Sequence, residues 1–294
     1  MVTTAAEHNS VLRPLHFLRQ HHAVELTIID CDHVGRVRAA DVLAAVTDRT
    51  RLVVVTHASN VTGAVQPIEA IAAALSTHDA LLLCDAAQTF GYLPISVAAM
   101  KVDLLAAPGH KGGRGPLGTG LLYASPSCHE VIRPSIQGGT GSRSESLDMP
   151  SNYPEKLEAG NMNVAALAGW NAGLGSAESF ESTARRGREL AIRLHQGLRR
   201  IHGLRVIGEP SELPIASVCA AHLSPIDMAT ILDVEYGIET RAGLHCAALV
   251  HRHLGSLPEG TLRISGGTTT SEQQIDAVVE AISSVLYQVS AHQI

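Results

Sequence analysis

The chain has 294 residues, of which 45% are hydrophobic and 17% are charged, and its formal net charge is -6 at pH 7. This composition is typical of a globular chain with a sizeable core, and it excludes a disordered protein. A negative charge without any block of like charges argues against nucleic acid or an anionic membrane as the main partner. A small charged metabolite is easier to accommodate.

Cysteine usage and the first residues bear on where the protein works. Five cysteines stand at positions 31, 84, 128, 219 and 246, scattered in a way that is not typical of zinc sites or disulfide frameworks. Residues 1–10 hold Glu7 and His8 but no apolar segment, which excludes a signal peptide, and no later stretch reads as a membrane span. We expect a cytoplasmic protein without a metal site. Most of the 16 histidines, His251 among them, are expected at the surface.

Strands and helices alternate through the first half of the chain. Apolar or β-favouring runs predict strands at 25–30, 51–56, 80–85, 102–106 and 118–123. Helices are expected at 39–46 and directly after Pro67, a residue that suits the first helical turn. Because the central strands are apolar throughout, they predict a mostly parallel sheet with helices on both faces.

The second half has a different pattern. Residues 136–160 are polar and irregular, which is typical of a functional or interfacial loop. A helical stretch begins near residue 163 and leads into 181–201, where leucines recur at every fourth position. Strands are expected near residues 205, 215 and 262, and helices at 226–235 and 271–287. We predict a large α/β domain over 1–178 and a smaller C-terminal α+β domain over 179–294.

Polar residues follow three consecutive strands of the predicted sheet. Asn60 lies in the segment after the second strand, Asp85 ends the third, and His110 and Lys111 follow the fourth. Taken singly, Asp85 is explained as a helix N-cap and Asn60 as a turn residue. Their succession at strand ends predicts one ligand crevice, because open α/β sheets bind ligands there.

Lys111 is one of only three lysines in the chain, beside nineteen arginines. It opens a glycine-rich turn at 108–113. An arginine cannot form an imine, whereas a partly desolvated lysine amine can, so this position invites a catalytic interpretation. The alternative is a surface lysine in a turn.

Several short motifs together resemble one family. They are His57-x-x-Asn60-x-x-Gly63, Asp85-x-x-Gln88, Gly109-His110-Lys111, Arg241-x-Gly243-x-His245-Cys246 and Gly260-Thr261-x-Arg263. In this order and over essentially the whole chain, they resemble the class V aminotransferase and cysteine desulfurase family of pyridoxal-phosphate enzymes. The resemblance implies the PLP-dependent transferase fold type I, a mostly parallel sheet flanked by helices with a smaller C-terminal α+β domain.

The resemblance also implies roles in binding pyridoxal 5'-phosphate. Lys111 would bind the cofactor covalently and then act as the base at the substrate's α-carbon. Asp85 would pair with the pyridine nitrogen, and Gln88 would hydrogen-bond the phenolic oxygen. His8 would stack on the ring and take part in proton transfer, while His110 would contact the phosphate.

Three further residues are implied in substrate binding and in the reaction. Asn60, which also borders the cofactor, and Arg263 would hold the substrate's α-carboxylate. Cys246 would attack the sulfur of bound L-cysteine, leaving L-alanine and an enzyme persulfide, with His245 and Arg241 favouring its thiolate. The alternatives are an ion pair for Arg263 and a buried structural role for Cys246.

A cysteine desulfurase is therefore the leading hypothesis, with a homodimer and a sulfur-acceptor protein as expected partners. A class V aminotransferase and a selenocysteine lyase are the close chemical alternatives. Members of the family normally carry, before the position of Glu7, a segment with a Gly/Thr-rich turn that binds the cofactor phosphate. The sequence begins without that segment, which motivates a third alternative, a truncated non-catalytic scaffold.

Overall fold

The first part of the chain folds around a six-stranded sheet. The computed structural model describes residues 1–175 and 179–291. Strands β1 to β5 are parallel and β6 pairs antiparallel with β5, in the spatial order β2-β1-β3-β4-β5-β6. The strands are β1 (Val2–Thr4), β2 (Thr27–Ile29), β3 (Leu52–Thr56), β4 (Leu81–Asp85), β5 (Leu104–Pro108) and β6 (Gly120–Ala124). The mostly parallel sheet expected from the sequence is present.

Helices cover the two faces of this sheet unequally. They are α1 (Asn9–His21), α2 (Ala39–Ala44), α3 (Ile68–Leu75), α4 (Val97–Met100) and α5 (Val164–Gly175). On one face, α2, α3 and α4 share a fully apolar core with Val55 and Leu82. On the other face, Val54, Leu83 and Leu122 line an open cavity against α1, and Leu122 is 51% exposed. Helices thus flank both faces, as the apolar central strands predict, while the edge strand β6 stays partly open.

The second part of the chain forms a smaller α+β unit. Its four strands are antiparallel, in the order β7-β8-β10-β9. Helices α6, α7 and α9 bury their apolar faces against this sheet. The elements are α6 (Phe180–Arg199), β7 (Leu204–Ile207), β8 (Ile215–Ala220), α7 (Pro225–Tyr236), β9 (Arg241–Gly243), α8 (Ala248–His253), β10 (Thr261–Ser265) and α9 (Glu272–Ala291).

The two sheets are joined by a small apolar cluster. Ala58 and Leu93 come from the first part, and Leu213 and Ile215 from the second. Close by, Ser217 Oγ donates to Val61 O at 2.7 Å. The predicted division into residues 1–178 and 179–294 stays a prediction, because residues 176–178 lie outside the described residues.

Two expectations about surface character can be compared with the structure. His251 is fully buried, contrary to its predicted surface position, and its Nδ1 pairs with Ser256 Oγ at 2.7 Å. A buried imidazole needs such a partner, which the sequence does not reveal. Within the described ranges, no helix combines the length and apolar character that crossing a bilayer requires.

Candidate active site

The carboxyl ends of β3, β4 and β5 meet at one edge of the first sheet. His57 N donates to Asp85 O at 2.8 Å, so the segments after β3 and β4 are directly bonded. Two cavities adjoin this edge, one of about 240 Å³ and one of about 900 Å³. Both are lined by the same five side chains, His8, Asn60, Gln88, Lys111 and Arg241. The predicted crevice therefore exists as one two-lobed site.

The loop that carries Lys111 is fixed by close backbone packing. A Cβ at Gly91 would collide with the carbonyl group of Gly112, and one at Gly112 would collide with Phe90 O. Behind this loop, Trp170 Nε1 donates to Gly113 O at 3.0 Å. Glycines are needed here because no side chain fits between the two segments.

The amine of Lys111 faces both lobes of the site. Burial lowers its pKa, the Asp85 carboxylate raises it, and the positive charges of Arg263 and Arg241 lower it further, with a net decrease. A larger fraction of the amine is then neutral, and the neutral amine is the form that attacks a carbonyl carbon.

Asp85 and His8 lie on the same larger lobe as Lys111. Asp85 Oδ1 accepts the amide of Ala87 at 2.9 Å, which orients the carboxylate. His8 is the N-cap of α1, where its Nδ1 accepts the amide of Ser10 at 3.0 Å. Burial and the charge of Lys111 lower the pKa of His8, so its ring is neutral and able to stack.

Glu7 has a buried carboxyl group for which the sequence predicts no role. It is fully buried, and its Oε1 accepts Thr4 Oγ1 at 2.7 Å and the amide of Thr56 at 2.9 Å. Burial raises its pKa to about 8, and the charge of Asp85 raises it too. Glu7 thereby ties the turn before His8 to the end of β3.

The smaller lobe is strongly cationic. Lys111, Arg241 and Arg263 line it, and no carboxylate does among the described lining residues. Arg263 Nη1 donates to Asn60 O at 2.9 Å, while its buried Nε has no partner within the described structure. Burial, and then the charge of Arg241, lower the pKa of Arg263. Such a lobe is suited to an anion, and a planar carboxylate matches a guanidinium best.

Asn60 lies between the cavity and the turn that bears Cys246. Its side-chain Nδ2 donates to His245 O at 2.7 Å, a contact that the sequence does not predict. One N–H and the amide oxygen remain for a ligand in the cavity.

Cys246 lies in the turn between β9 and α8, outside the lining of both lobes. It is exposed, and its Sγ accepts Arg241 Nη2 at 3.5 Å. A buried structural role for Cys246 is therefore wrong. Arg241 lines both lobes and contacts the sulfur, so it connects the thiol to the cavity.

His245 does not supply the positive charge expected beside the thiol. Its ring is buried, and its Nε2 pairs with Thr261 Oγ1 at 2.8 Å. Burial, followed by the charge of Arg263, lowers its pKa to about 3, so the imidazole is neutral near pH 7. Of the two neighbours expected to favour a thiolate, only Arg241 is charged.

One more predicted residue and two residues without a predicted role also line the lobes. His110 is exposed and lines only the larger lobe. Tyr92 and Ser265 line the smaller lobe, and the sequence predicts a role for neither of them. Their positions follow from the turn after β4 and the end of β10, which only the folded chain brings together.

Known proteins share this architecture. The model of the family "Aminotransferase class-V" matches residues 1–278. A probable cysteine desulfurase of Methanothermobacter thermautotrophicus is 33% identical over 292 residues, which cover 97% of this chain and 72% of the relative. A cysteine desulfurase of Pectobacterium atrosepticum is 28% identical over 290 residues, which cover 97% of this chain and 70% of that relative.

Solved structures agree in fold. The apo cysteine desulfurase of Thermococcus onnurineus matches with a TM-score of 0.87 and 28% identity, covering 98% of this chain and 72% of that one. The cysteine desulfurase CsdA of Escherichia coli matches with a TM-score of 0.86 and 27% identity, over the same shares of the two chains. The fold-type-I expectation is confirmed. On the strength of the family model and of these relatives, the chain belongs to the class V aminotransferase family.

Proposed function

We propose that this protein is a pyridoxal-phosphate-dependent cysteine desulfurase, which converts L-cysteine to L-alanine and transfers the sulfur to Cys246. The observation that carries the proposal is the continuity of the site. Lys111 and Asp85 share one lobe, a cationic lobe adjoins it, and Arg241 links both to an exposed thiol. The relatives named as cysteine desulfurases support the choice of reaction.

The residues of the larger lobe fit pyridoxal phosphate, the cofactor on which the family generally depends. They offer an amine with a lowered pKa, a carboxylate oriented by one backbone amide, a neutral aromatic ring and a side-chain amide. When bound, the cofactor supplies an aldehyde that takes up the substrate amine and a ring that accepts electrons from the α-carbon.

Each of these side chains has a distinct task. Lys111 Nζ would hold the cofactor covalently, and its amine would serve as the base at the substrate's α-carbon. Asp85 would pair with the pyridine nitrogen and keep it protonated by its negative charge. Gln88 would hydrogen-bond the phenolic oxygen, His8 would stack on the ring, and His110 would contact the phosphate.

The cationic lobe orients the substrate. Arg263 and the free N–H of Asn60 bind the α-carboxylate, because the guanidinium matches a planar carboxylate and its Nε has no other partner among the described residues. This arrangement directs the substrate's side chain toward Arg241 and the thiol.

Sulfur transfer takes place at Cys246. The thiolate of Cys246 attacks the sulfur of the substrate, so an S–S bond forms while the substrate's C–S bond breaks. The electron pair of the broken bond stays with the carbon skeleton, which takes up a proton and leaves as L-alanine. Arg241 Nη2 donates to the attacking sulfur at 3.5 Å.

We further propose that the protein acts as a homodimer and passes the persulfide sulfur to an acceptor protein. Both expectations come from the resemblance to the family. A cytoplasmic location stays a prediction.

The test uses the full chain loaded with pyridoxal phosphate. Borohydride reduction is expected to fix the cofactor to Lys111, as mapped by mass spectrometry, and Lys111→Arg should abolish this label while Lys101→Arg retains it. L-Cysteine should yield equal amounts of alanine and sulfide under reducing conditions. Absence of the label at position 111 would contradict the cofactor assignment.

Cys246→Ser separates the possible reactions. We expect it to keep the cofactor label and lose sulfide release, whereas the control Cys219→Ser keeps both. Undiminished transamination by Cys246→Ser, without sulfide release by the parent protein, would instead identify an aminotransferase.

A further inference from the structure

The turn that presents Cys246 has an unusual backbone. His245 and Cys246 are consecutive non-glycine residues with positive φ angles of 50° and 57°. L-Residues adopt this left-handed conformation only at a cost, so the surrounding structure must hold the turn in place. The turn, residues 244–247, lies between β9 and α8.

Every carbonyl group at the centre of this turn accepts a hydrogen bond. Leu244 O accepts the amide of Ala247 at 2.9 Å, which closes the turn itself. His245 O accepts Asn60 Nδ2 at 2.7 Å, and Cys246 O accepts the amide of Asn9 at 2.7 Å. The last two donors belong to the segment after β3 and to the start of α1, far away in the sequence.

The two outside donors are also well placed with respect to the cavity. Asn60 lines both lobes, and Asn9 follows His8, which lines both as well. Asn9 is the first residue of α1, so its amide has no partner within the helix and is available to the turn. The side chain of His245 adds a third attachment through Thr261 Oγ1.

We propose that Asn60 and the backbone amide of Asn9 are positioning groups for the Cys246 thiol, holding its turn in a fixed place beside the substrate lobe. The catalytic meaning of this role rests on the proposed desulfurase function, but the attachment itself does not. The thiol then reaches the substrate's sulfur from a preset position instead of from a mobile loop, which lowers the entropic cost of the attack.

One substitution removes the attachment at Asn9 with little change to the helix itself. Asn9→Pro replaces the amide hydrogen by a ring carbon, so it removes the donor and also pushes Cys246 O out of its 2.7 Å contact. The helix tolerates the change, because proline is favoured at the first helical position. The preceding His8 has φ -73° and ψ 157°, the extended conformation that a residue before proline prefers. Asn9→Ala is the matched control, because it removes the side chain and keeps the amide.

Hydrogen exchange of the full chain measures the attachment without any turnover. In Asn9→Pro, the amide of Ala247 should exchange about tenfold faster than in Asn9→Ala, because the turn loses one of its two outside donors. Peptides from β4 should exchange alike in both variants. Equal exchange of the turn in the two variants would overturn the proposal.

Kinetics provide a readout that a general loss of stability would not produce. With L-cysteine, Asn9→Pro should lower kcat about tenfold relative to Asn9→Ala at an unchanged KM, because Asn9 does not line either lobe. A rise in KM with equal kcat would overturn the proposal. Failure of the desulfurase assignment would appear differently, as no alanine from the parent protein, with the exchange result intact.

A second pair of variants guards against misfolding of the proline variant. Asn60→Ala removes the other donor, and Gln66→Ala removes a buried amide that donates to Gly35 O and does not contact the turn. Faster exchange of Ala247 only in Asn60→Ala supports the proposal. The same increase in both variants would contradict it.

Discussion

Glu7 carries a carboxyl group whose ionisation opposes folding. Its pKa is about 8 in the folded protein against an ordinary value of 4.5, because the side chain is fully buried. Between these two values the folded state holds a proton that the unfolded state has released. Raising the pH across this window therefore destabilises the fold, with no contribution below about 4.5 and a full penalty above about 8.

We predict that Glu7→Gln removes this pH dependence. Glutamine keeps an oxygen for Thr4 Oγ1 and the Thr56 amide but does not ionise. Relative to Glu7→Gln, the parent protein should lose up to about 1.4 kcal/mol of unfolding free energy per pH unit inside the window. Urea titrations from pH 4 to 9 measure the difference. Parallel curves for the two proteins would show that Glu7 is ionised in the fold.

Asp85→Asn tests the proposed charge at the pyridine nitrogen. Asparagine keeps the hydrogen bond from Ala87 but removes the negative charge that holds the ring protonated. We expect covalent cofactor binding to persist and kcat to fall about 100-fold or more. Steady-state assays measure kcat, and the borohydride label measures covalent cofactor binding. Asp103→Asn, whose side chain accepts Leu82 N at the opposite end of β5, should retain activity.

Chemistry at strand ends explains which site residues the sequence predicts. Asp85 ends the apolar strand β4, and Lys111 follows shortly after β5. Because the carboxyl ends of neighbouring parallel strands meet at one sheet edge, sequence order alone brings these two residues together. Glu7 and the Asn9 amide are different, because one acts through burial and the other through its backbone. The sequence shows which side chains are present, but it does not show which of them are buried or which backbone amides donate hydrogen bonds.

The loop that carries Lys111 can adopt its conformation only with glycine at position 112. A methyl group at Gly112 would collide with Phe90 O and with the ring of Tyr92. We predict that Gly112→Ala displaces the loop, costs about 2 kcal/mol of stability and slows imine formation at Lys111. Thermal unfolding and the rate of cofactor uptake measure both effects. Gly139→Ala is the control, since nothing lies within 4 Å of its added methyl group; equal effects of the two would contradict the prediction.

Elements with a clear period or a long apolar run are predicted well, and short or irregular ones are not. Strand β4 and helix α6 lie within a residue or two of their predicted bounds. Helix α1 is missed because it contains Pro14, which ordinarily ends a helix. Strands β1 and β9, of three residues each, are missed because so short a run shows no alternation. The equally short β2 is predicted because it lies within a longer β-favouring run at 25–30.

The two sheets share polar and apolar contacts close to the site. Arg263 in β10 donates to Asn60 O after β3, and Ser217 in β8 donates to Val61 O. Leu213, only 2% exposed, fills the apolar cluster between them. Unfolding one part removes partners from the other, so we expect both to unfold in one cooperative transition.

Leu213→Ala should destabilise both parts together. Removing a buried leucine leaves a cavity, and we predict a loss of about 3 kcal/mol. Hydrogen exchange in increasing urea, followed on peptides of β4 and β10, should give coincident midpoints that shift by the same amount. A shift of the β10 peptide alone would mean that the two parts unfold independently.

The general arrangement of the molecule is accessible from the sequence, while its contacts across the chain are not. Alternation of strands and helices predicts the large sheet, and the later change of pattern predicts the smaller unit. Helices flank the sheet as expected, while Leu122 in the edge strand β6 remains 51% exposed. Apolar character in a strand indicates that a face prefers burial, but it does not show which element buries it.

Trp170 is the only tryptophan of the chain, and its indole is bonded to the backbone of Gly113, two residues from Lys111. Its emission therefore originates beside the place where a coloured cofactor would be attached. Excitation energy should pass from the indole to that chromophore, so fluorescence would dim as the protein is loaded. Tryptophan fluorescence should therefore report the fraction of protein that has bound cofactor, without any added label or substitution.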